Sequence, residues 1–275
     1  MGVNLLYASE LVLRKPERQG VLTFFPCKQE EEREAAFHSC SLPCRYSALL
    51  ARAQKGSSIM PHPLFETIIT SLVSSETAFE WKLQLTFWPM LADTATPVSP
   101  DALAQALHCS REQVLETLRL YPEAEYDHAG NLAGLGLTLR QTPHQLHLGE
   151  QTFYGWCAPD VLVFPVFLQR TARIVSTCPV TGTSIQLTVT PDHIENLSPA
   201  SATVSIVKDG AVLGKLKEAG CIRQEGCDHQ FFFASQEAAA PWASEHADFI
   251  VLPVEEAFQG MREFAKHVQA RAAHV

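Results

Sequence analysis

The chain has 275 residues, of which 46% are hydrophobic, and a formal charge of −9. That is enough apolar material for one large or two small globular domains. No apolar run approaches the roughly 18–20 uncharged residues of a membrane span; the longest, residues 161–168, is short and contains Pro165. The start Met1-Gly-Val-Asn-Leu-Leu-Tyr7 has no basic region before an apolar one, so no secretory signal is read there. The eight cysteines are irregularly spaced, which favours reduced thiols in a cytoplasm over a disulfide framework. Residues 1–59 hold eight basic and six acidic side chains, whereas residues 60–275 hold thirteen and twenty-four. An acidic main body repels phosphate backbones and argues against nucleic acid as the main partner.

Residues 1–59 carry a charge run, Glu30-Glu-Glu-Arg-Glu34, and Cys40 and Cys44, but no sustained period. Gln54-Lys-Gly-Ser-Ser58 has linker composition, and Met60 follows it as a candidate natural start. The segment is expected to be an extension, disordered or upstream of the true start. From Pro61, Leu64, Ile68, Ile69 and Leu72 share a helical face. Ser99-Pro100-Asp101 is a helix start with Leu103, Ala106 and Leu107 on one face. After a break at His108 and Cys109, Ser110 and Gln113 form a capping-box pattern ahead of Val114, Leu115 and Leu118. Polar residues 127–131 and alternating Leu135, Leu137 and Leu139 predict a hairpin. Two helices with a tight turn and then a hairpin are the winged-helix order. Residues 97–140, however, hold three basic side chains against six acidic ones, so the module is read as structural or substrate-covering rather than DNA-binding.

Beyond Glu150 the pattern becomes mixed. Ile185, Leu187 and Val189 alternate, as do Ala202, Val204 and Ile206, which predicts strands with one buried face. Lys208-Asp-Gly210 reads as a turn. Ser235 predicts a helix start, with Pro241 interrupting or restarting that helix, and Val254, Ala257, Phe258, Met261, Phe264, Ala265 and Val268 predict a final amphipathic helix. The expected fold class is α+β: a winged-helix-like module over residues 60–149, then a catalytic domain of antiparallel strands and helices over 150–275.

Two cysteines stand out. Cys157 lies in Tyr154-Gly-Trp-Cys-Ala-Pro-Asp160, and Cys227 lies ahead of Phe231-Phe-Phe-Ala-Ser235. Asp160 reads as the cap of the helix that follows. Cys157 would then sit at a helix N-terminus, where unpaired amides lower a thiol pKa. Two thiolates and a carboxyl suit a soft, two-coordinate metal and a proton beside it. The bland readings are a buried hydrophobe for Cys157 and a plain helix cap for Asp160. Cys178, in Ser176-Thr-Cys-Pro-Val-Thr-Gly182, suits buried packing at a turn, and His229 is read as structural or solvent-facing. Zinc, nucleotide and serine-hydrolase motifs are missing.

Several runs together resemble the alkylmercury lyase family, the organomercurial lyases of bacterial mercury resistance. They are residues 125–140, Tyr154-Gly-Trp-Cys-Ala-Pro-Asp160, Arg170-Thr-Ala-Arg173, Ser176-Thr-Cys-Pro-Val-Thr-Gly182, and Cys227 ahead of Phe232-Phe-Ala-Ser235. The likeness covers residues 61–275 and leaves out 1–59. It implies protonolysis of a carbon–mercury bond, with Cys157 and Cys227 as catalytic thiols that hold the mercury(II) product. It implies Asp160 as the catalytic carboxylate and an additional contact to the metal, and Cys178 as structural. Family members can carry a second cysteine directly after the one matched by Cys227; Asp228 stands there, so no role transfers to it. The resemblance further implies no organic cofactor or resident metal, release by low-molecular-weight thiols, and hand-over of mercury(II) to mercuric reductase. Trp156 and Phe231–Phe233 would receive the organic group. The competing reading is a dithiol metal carrier or sensor that binds mercury without turnover.

Overall fold

The computed structural model describes residues 64–274. The extension read over residues 1–59, with Cys40, Cys44 and the candidate start Met60, lies outside the described residues.

Helix α1 (Leu64–Ser74) buries Ile68 and Ile69 of the expected face, leaves Leu72 half-buried, and also buries Phe65, which the spacing did not pick out. Helix α2 (Ala78–Thr94) went unread in the sequence, because its apolar residues are not confined to one face. Its start is nevertheless explicit. Thr77 Oγ1 accepts from the Glu80 amide at 3.1 Å, and the Glu80 carboxylate accepts from the Thr77 amide at 2.6 Å. That reciprocal pair satisfies two of the orphan amides of a helix end. Helices α3 (Pro100–Leu107) and α4 (Arg111–Leu118) begin at Ser99 and Ser110, whose hydroxyls accept from Ala102 and Gln113 amides. His108, in the left-handed region at φ 55°, ends α3 and makes the break.

Strands β1 (Glu125–Tyr126) and β2 (Leu132–Leu135) form a hairpin whose turn is held by the Asp127 carboxylate, which accepts from the Ala129 and Asn131 amides. Leu135, Leu137 and Leu139 do not share one strand. Gly136, at φ 74°, reverses the chain so that Leu135 pairs with Leu137 of strand β3 (Leu137–Thr138). Only glycine enters that backbone region without a Cβ penalty. Strands β4 (His144–Leu148) and β5 (Gln151–Gly155) pair across the turn at Gly149 and Glu150. Helix α5 (Ala158–Leu168) follows. Strands β6 (Ala172–Thr177), β7 (Ser184–Val189) and β8 (Ile194–Ser198) complete an antiparallel eight-stranded sheet in the order β1-β2-β3-β5-β4-β6-β7-β8. In β7 the alternation holds, with Ile185, Leu187 and Val189 buried.

Strand β9 (Thr203–Val207) departs from expectation. It is the central strand of a second, three-stranded sheet, and it is buried on both faces because helices α5, α6 and α9 pack against it. Lys208-Asp-Gly210 makes no hairpin turn; Asp209 caps helix α6 (Gly210–Glu218), its carboxylate accepting from the Ala211 amide. Gly210 meets α1 so closely that a Cβ there would sit 2.8 Å from the Ile68 Cα. A short helix α7 (Ile222–Glu225) and a 3₁₀ turn at Cys227–His229 lead to β10 (Phe232–Phe233). Helix α8 (Gln236–Glu245) starts at Ser235 and runs through Pro241 without a break. Strand β11 (Phe249–Pro253) completes the order β10-β9-β11, and α9 (Val254–Ala272) buries the predicted stripe except Phe264, which is half-buried.

The architecture is α+β with antiparallel sheets. Its centre is α5, apolar on every side, which packs on α9, α2 and strands β3, β4, β5 and β9. A helix apolar all round belongs in the core. Its N-terminus is therefore held deep in the protein by neighbours on both sheets. Among the described residues no helix is long and apolar enough to cross a membrane.

Candidate active site

Strand β5 ends at Gly155, where the chain turns sharply into α5. A Cβ on Gly155 would lie 2.7 Å from Val161 Cγ1, 3.0 Å from Asp160 Cβ and 3.1 Å from the Cys157 carbonyl oxygen. The missing side chain lets the helix start fold back onto the strand. Cys157 takes the N-cap position and Asp160 the third helical position, so Asp160 is not the cap the sequence suggested. Its carboxylate reaches back to accept from the Cys157 amide at 3.2 Å, the acidic half of a capping box.

Cys227 arrives from the other side, on the 3₁₀ turn after α7. Two backbone hydrogen bonds fix it: the Gln230 amide donates to the Cys227 carbonyl at 2.9 Å, and the Ala158 amide donates to the Gln230 carbonyl at 3.0 Å. The second bond joins the first turn of α5 to the segment that carries Cys227. As a result the Cys157 sulfur, the Cys227 sulfur and an Asp160 carboxylate oxygen all lie within 4.8 Å of one another. None of the described cysteines is in a disulfide.

The expected low-pKa thiolate is not there. Burial pushes the Cys157 thiol well above its ordinary range, and the neighbouring Cys227 sulfur and Asp160 carboxylate push the same way. Removing an anion from water outweighs the pull of helix amides. For Cys227, a hydrogen bond with Cys157 favours the thiolate, but burial and the charges of Asp160, Glu123 and Asp228 prevail, and its pKa is also raised. Burial lifts Asp160 to about 6 against hydrogen bonds from the Cys157 thiol and amide and the attraction of Arg223. At neutral pH the resting site thus holds two protonated thiols and one mainly ionised carboxylate.

These groups open onto a cavity of about 180 Å³. Its apolar wall comes from Trp81 and Trp88 of α2, Phe164 and Phe167 of α5, and Phe264 of α9, with Trp156 beside the thiols. Phe231–Phe233, expected to receive the organic group, line none of it. Phe232 and Phe233 are fully buried in β10, and Phe231 packs edge-on against Trp242. The cavity also has a polar wall. Lys217 of α6 bridges Glu76 at 3.1 Å and Glu80 at 3.4 Å, and Gln84 donates to Glu76 and to the Tyr121 hydroxyl. Burial raises the pKa of both Glu76 and Tyr121.

Cys178 is remote from this site. It is buried at the β6–β7 turn, and its sulfur accepts from the Thr181 hydroxyl and the Ala234, Thr181 and Val180 amides. It ties that turn to the end of β10. Asp228 is exposed, and His229 packs its ring against His246 and Phe249; neither lines the cavity. The sequence reading missed Glu125 and Arg223. The Glu125 carboxylate is buried beside the Trp156 indole and bonded to Arg223. The one available signal was position, Arg223 standing a helical turn before Cys227.

The fold and site define a class: an α+β protein with a buried dithiol and a carboxyl at one end of a largely apolar cavity. A family model described as alkylmercury lyase matches residues 137–266. An alkylmercury lyase of Streptomyces lividans is 41% identical over 163 residues, covering 59% of this chain and 73% of that protein. One from Pseudomonas putida is 43% identical over 162 residues, with the same coverages, and one from Staphylococcus epidermidis is 38% identical over 182 residues, covering 66% and 79%. A crystal structure of the mercury-bound form of MerB2 superimposes with a TM-score of 0.61 at 21% identity, covering 74% of this chain and 99% of that one. The chain belongs to the alkylmercury lyase family, and it is an enzyme.

Proposed function

We propose that this organomercurial lyase breaks the carbon–mercury bond by protonolysis at Cys157, Cys227 and Asp160. The observation that carries the reading is the meeting of two sulfurs and one carboxyl of raised pKa at one end of a largely apolar cavity. Mercury(II) is soft, and thiolate is its strongest common protein ligand. The substrate reaches the site as an organomercury thiolate. One cysteine sulfur bonds to mercury as its proton passes to the ionised Asp160. The other cysteine also bonds to mercury, and its proton leaves with the displaced thiolate as a free thiol. Two sulfurs on mercury push electron density toward carbon. Asp160 then gives its proton to that carbon, the electron pair of the carbon–mercury bond becomes the new carbon–hydrogen bond, and the hydrocarbon departs. Mercury stays in the +2 state on the two sulfurs, and Asp160 is ionised again. A carboxyl of pKa about 6 suits both halves of this transfer near neutral pH.

The buried, protonated thiols explain why the carboxyl is needed as a base before it serves as an acid. The aromatic wall suits methyl, ethyl or phenyl groups. The reaction as proposed uses no organic cofactor and no resident metal. Outside thiols would carry mercury(II) away toward mercuric reductase in a reducing cytoplasm. We read residues 60–149 as a winged-helix-like covering module and residues 150–275 as the catalytic part. The element order of α3, α4 and the β1–β2 hairpin supports the first, and the placement of Cys157, Asp160 and Cys227 supports the second.

Incubating reduced protein with phenylmercury and excess thiol tests the reading. Repeated benzene release, followed by gas chromatography, is expected. Mercury bound with no benzene released would instead favour a dithiol carrier or sensor.

A further inference from the structure

The two thiols come from segments about seventy residues apart, yet one side chain bonds to a neighbour of each thiol in both segments. Glu125 of β1 is almost fully buried. One of its carboxylate oxygens accepts from the Trp156 indole N–H at 3.2 Å and from the Arg223 guanidinium. Trp156 immediately precedes Cys157. Arg223 opens the turn that ends at Cys227, and its guanidinium lies over the Trp156 ring, 5.0 Å from the centroid. The other oxygen accepts from the Thr138 hydroxyl of β3 and faces Arg140 Nε at 3.6 Å. Nearby, the Glu123 carboxylate accepts from the Arg223 amide at 2.7 Å and the Gln224 amide at 3.1 Å, which fixes the start of α7.

We propose that Glu125 is a positioning residue for the sulfur pair, clamping the Cys157 segment to the Cys227 segment through Trp156 and Arg223. A buried carboxylate is held in place only when its lone pairs are satisfied, and here two of its partners, Trp156 and Arg223, stand in the segments that carry the two thiols, while Thr138 ties it to the sheet. The clamp lies behind the thiols: Glu125 and Arg223 do not line the cavity, whereas Trp156 does. Glu125 therefore acts on the reaction through the sulfurs and touches no reacting atom. The sheet supplies the anchor, since β1 pairs with β2, and β3 joins β2 to the strand that ends at Gly155. The inference rests on the dithiol reading above, but its test reads the sulfur pair without turnover.

The test uses the full chain equilibrated in glutathione buffers of graded oxidation. Glutathione disulfide oxidises the two thiols to a Cys157–Cys227 disulfide and is reduced to two glutathiones. Peptide mapping after alkylation gives the fraction of that disulfide, hence the effective concentration of one thiol at the other. Glu125→Ala should lower the effective concentration by roughly tenfold or more, the scale of a small loss of alignment. Glu125→Gln keeps one acceptor oxygen for the Trp156 indole, presents an N–H instead of an acceptor to the Thr138 hydroxyl and loses the charge toward Arg223, so it should fall between Ala and wild type. Val268→Ala thins the core of α9 away from the cavity; it should lower Tm and leave the effective concentration unchanged. If Glu125→Ala does not fold, the Gln variant decides. Wild-type values in the Gln variant, an equal fall in Val268→Ala, or a wild type that forms no such disulfide would each overturn the proposal.

Discussion

Replacing Asp160 by Asn should make the protein more stable at neutral pH while nearly abolishing hydrocarbon release. The carboxyl has a folded pKa of about 6, raised by burial from an ordinary 3.8. A group whose folded pKa is raised contributes stability that is full below the unfolded value and lost as pH rises through the folded value. At pH 7 the wild type therefore carries an ionised, desolvated carboxylate, and two pKa units correspond to about 3 kcal/mol. Contact with the water-accessible cavity reduces that figure, so a gain on the order of 1–3 kcal/mol is expected. For a chain of this size that is several degrees in Tm, on the order of 5 °C. Asn keeps an acceptor for the Cys157 amide, so the helix start survives. The amide cannot move a proton, and benzene release should fall on the order of 10²-fold or more. Tm at pH 7 and pH 4 and benzene by gas chromatography check both halves; the Tm gap should shrink toward pH 4, where wild-type Asp160 is protonated. A lower Tm at pH 7 would show that the charged carboxylate stabilises the helix start. Unimpaired release would remove Asp160 from the chemistry and turn attention to Glu76, the other carboxyl that lines the cavity.

Cys157→Ser and Cys227→Ser should each abolish carbon–mercury cleavage, and each should lose mercury(II) in competition with an added dithiol; near-normal turnover in either variant would sink the two-thiolate mechanism. Cys178→Ser should lower Tm, at a cost of about 1–3 kcal/mol for a disturbed buried hydrogen-bonding site, while single-turnover benzene release per folded protein stays within a few-fold of wild type. A chain starting at Met60 should remain soluble and keep its turnover, because residues 1–59 have opposite charge balance and stand outside the family likeness; an insoluble or inactive truncation would make the extension integral.

Local chemistry made much of the fold legible. Ser99, Ser110 and Ser235 announce helix starts, and the stripe from Val254 to Val268 announces the last helix, because caps and periodicity are written within a few residues. Long-range burial is not. The expectation of a low-pKa thiolate at Cys157 considered only the helix amides; the surrounding sheets and helices desolvate the sulfur and reverse the shift. The same blindness gave β9 one buried face instead of two, and gave the cavity the phenylalanines of β10 instead of the aromatic wall of α2, α5 and α9. Asp209 looked like part of a turn because the residue types that favour turns also cap helices. Cys157, Asp160 and Cys227 were legible as a set through the family resemblance, and the structure brings them within 4.8 Å. Glu125 and Arg223 stayed hidden because nothing local marks a buried ion pair spanning residues 125 and 223.

The central claim is that carbon takes a proton from an exchangeable acid while both sulfurs keep the mercury. A single turnover in heavy water, with reduced protein, one equivalent of phenylmercury supplied as its thiolate and no excess thiol, tests it most directly. The account predicts one equivalent of monodeuterated benzene and one equivalent of mercury(II) retained on the protein, with both Cys157 and Cys227 protected from alkylation. Undeuterated benzene, or phenylmercury held intact on the protein, would contradict it.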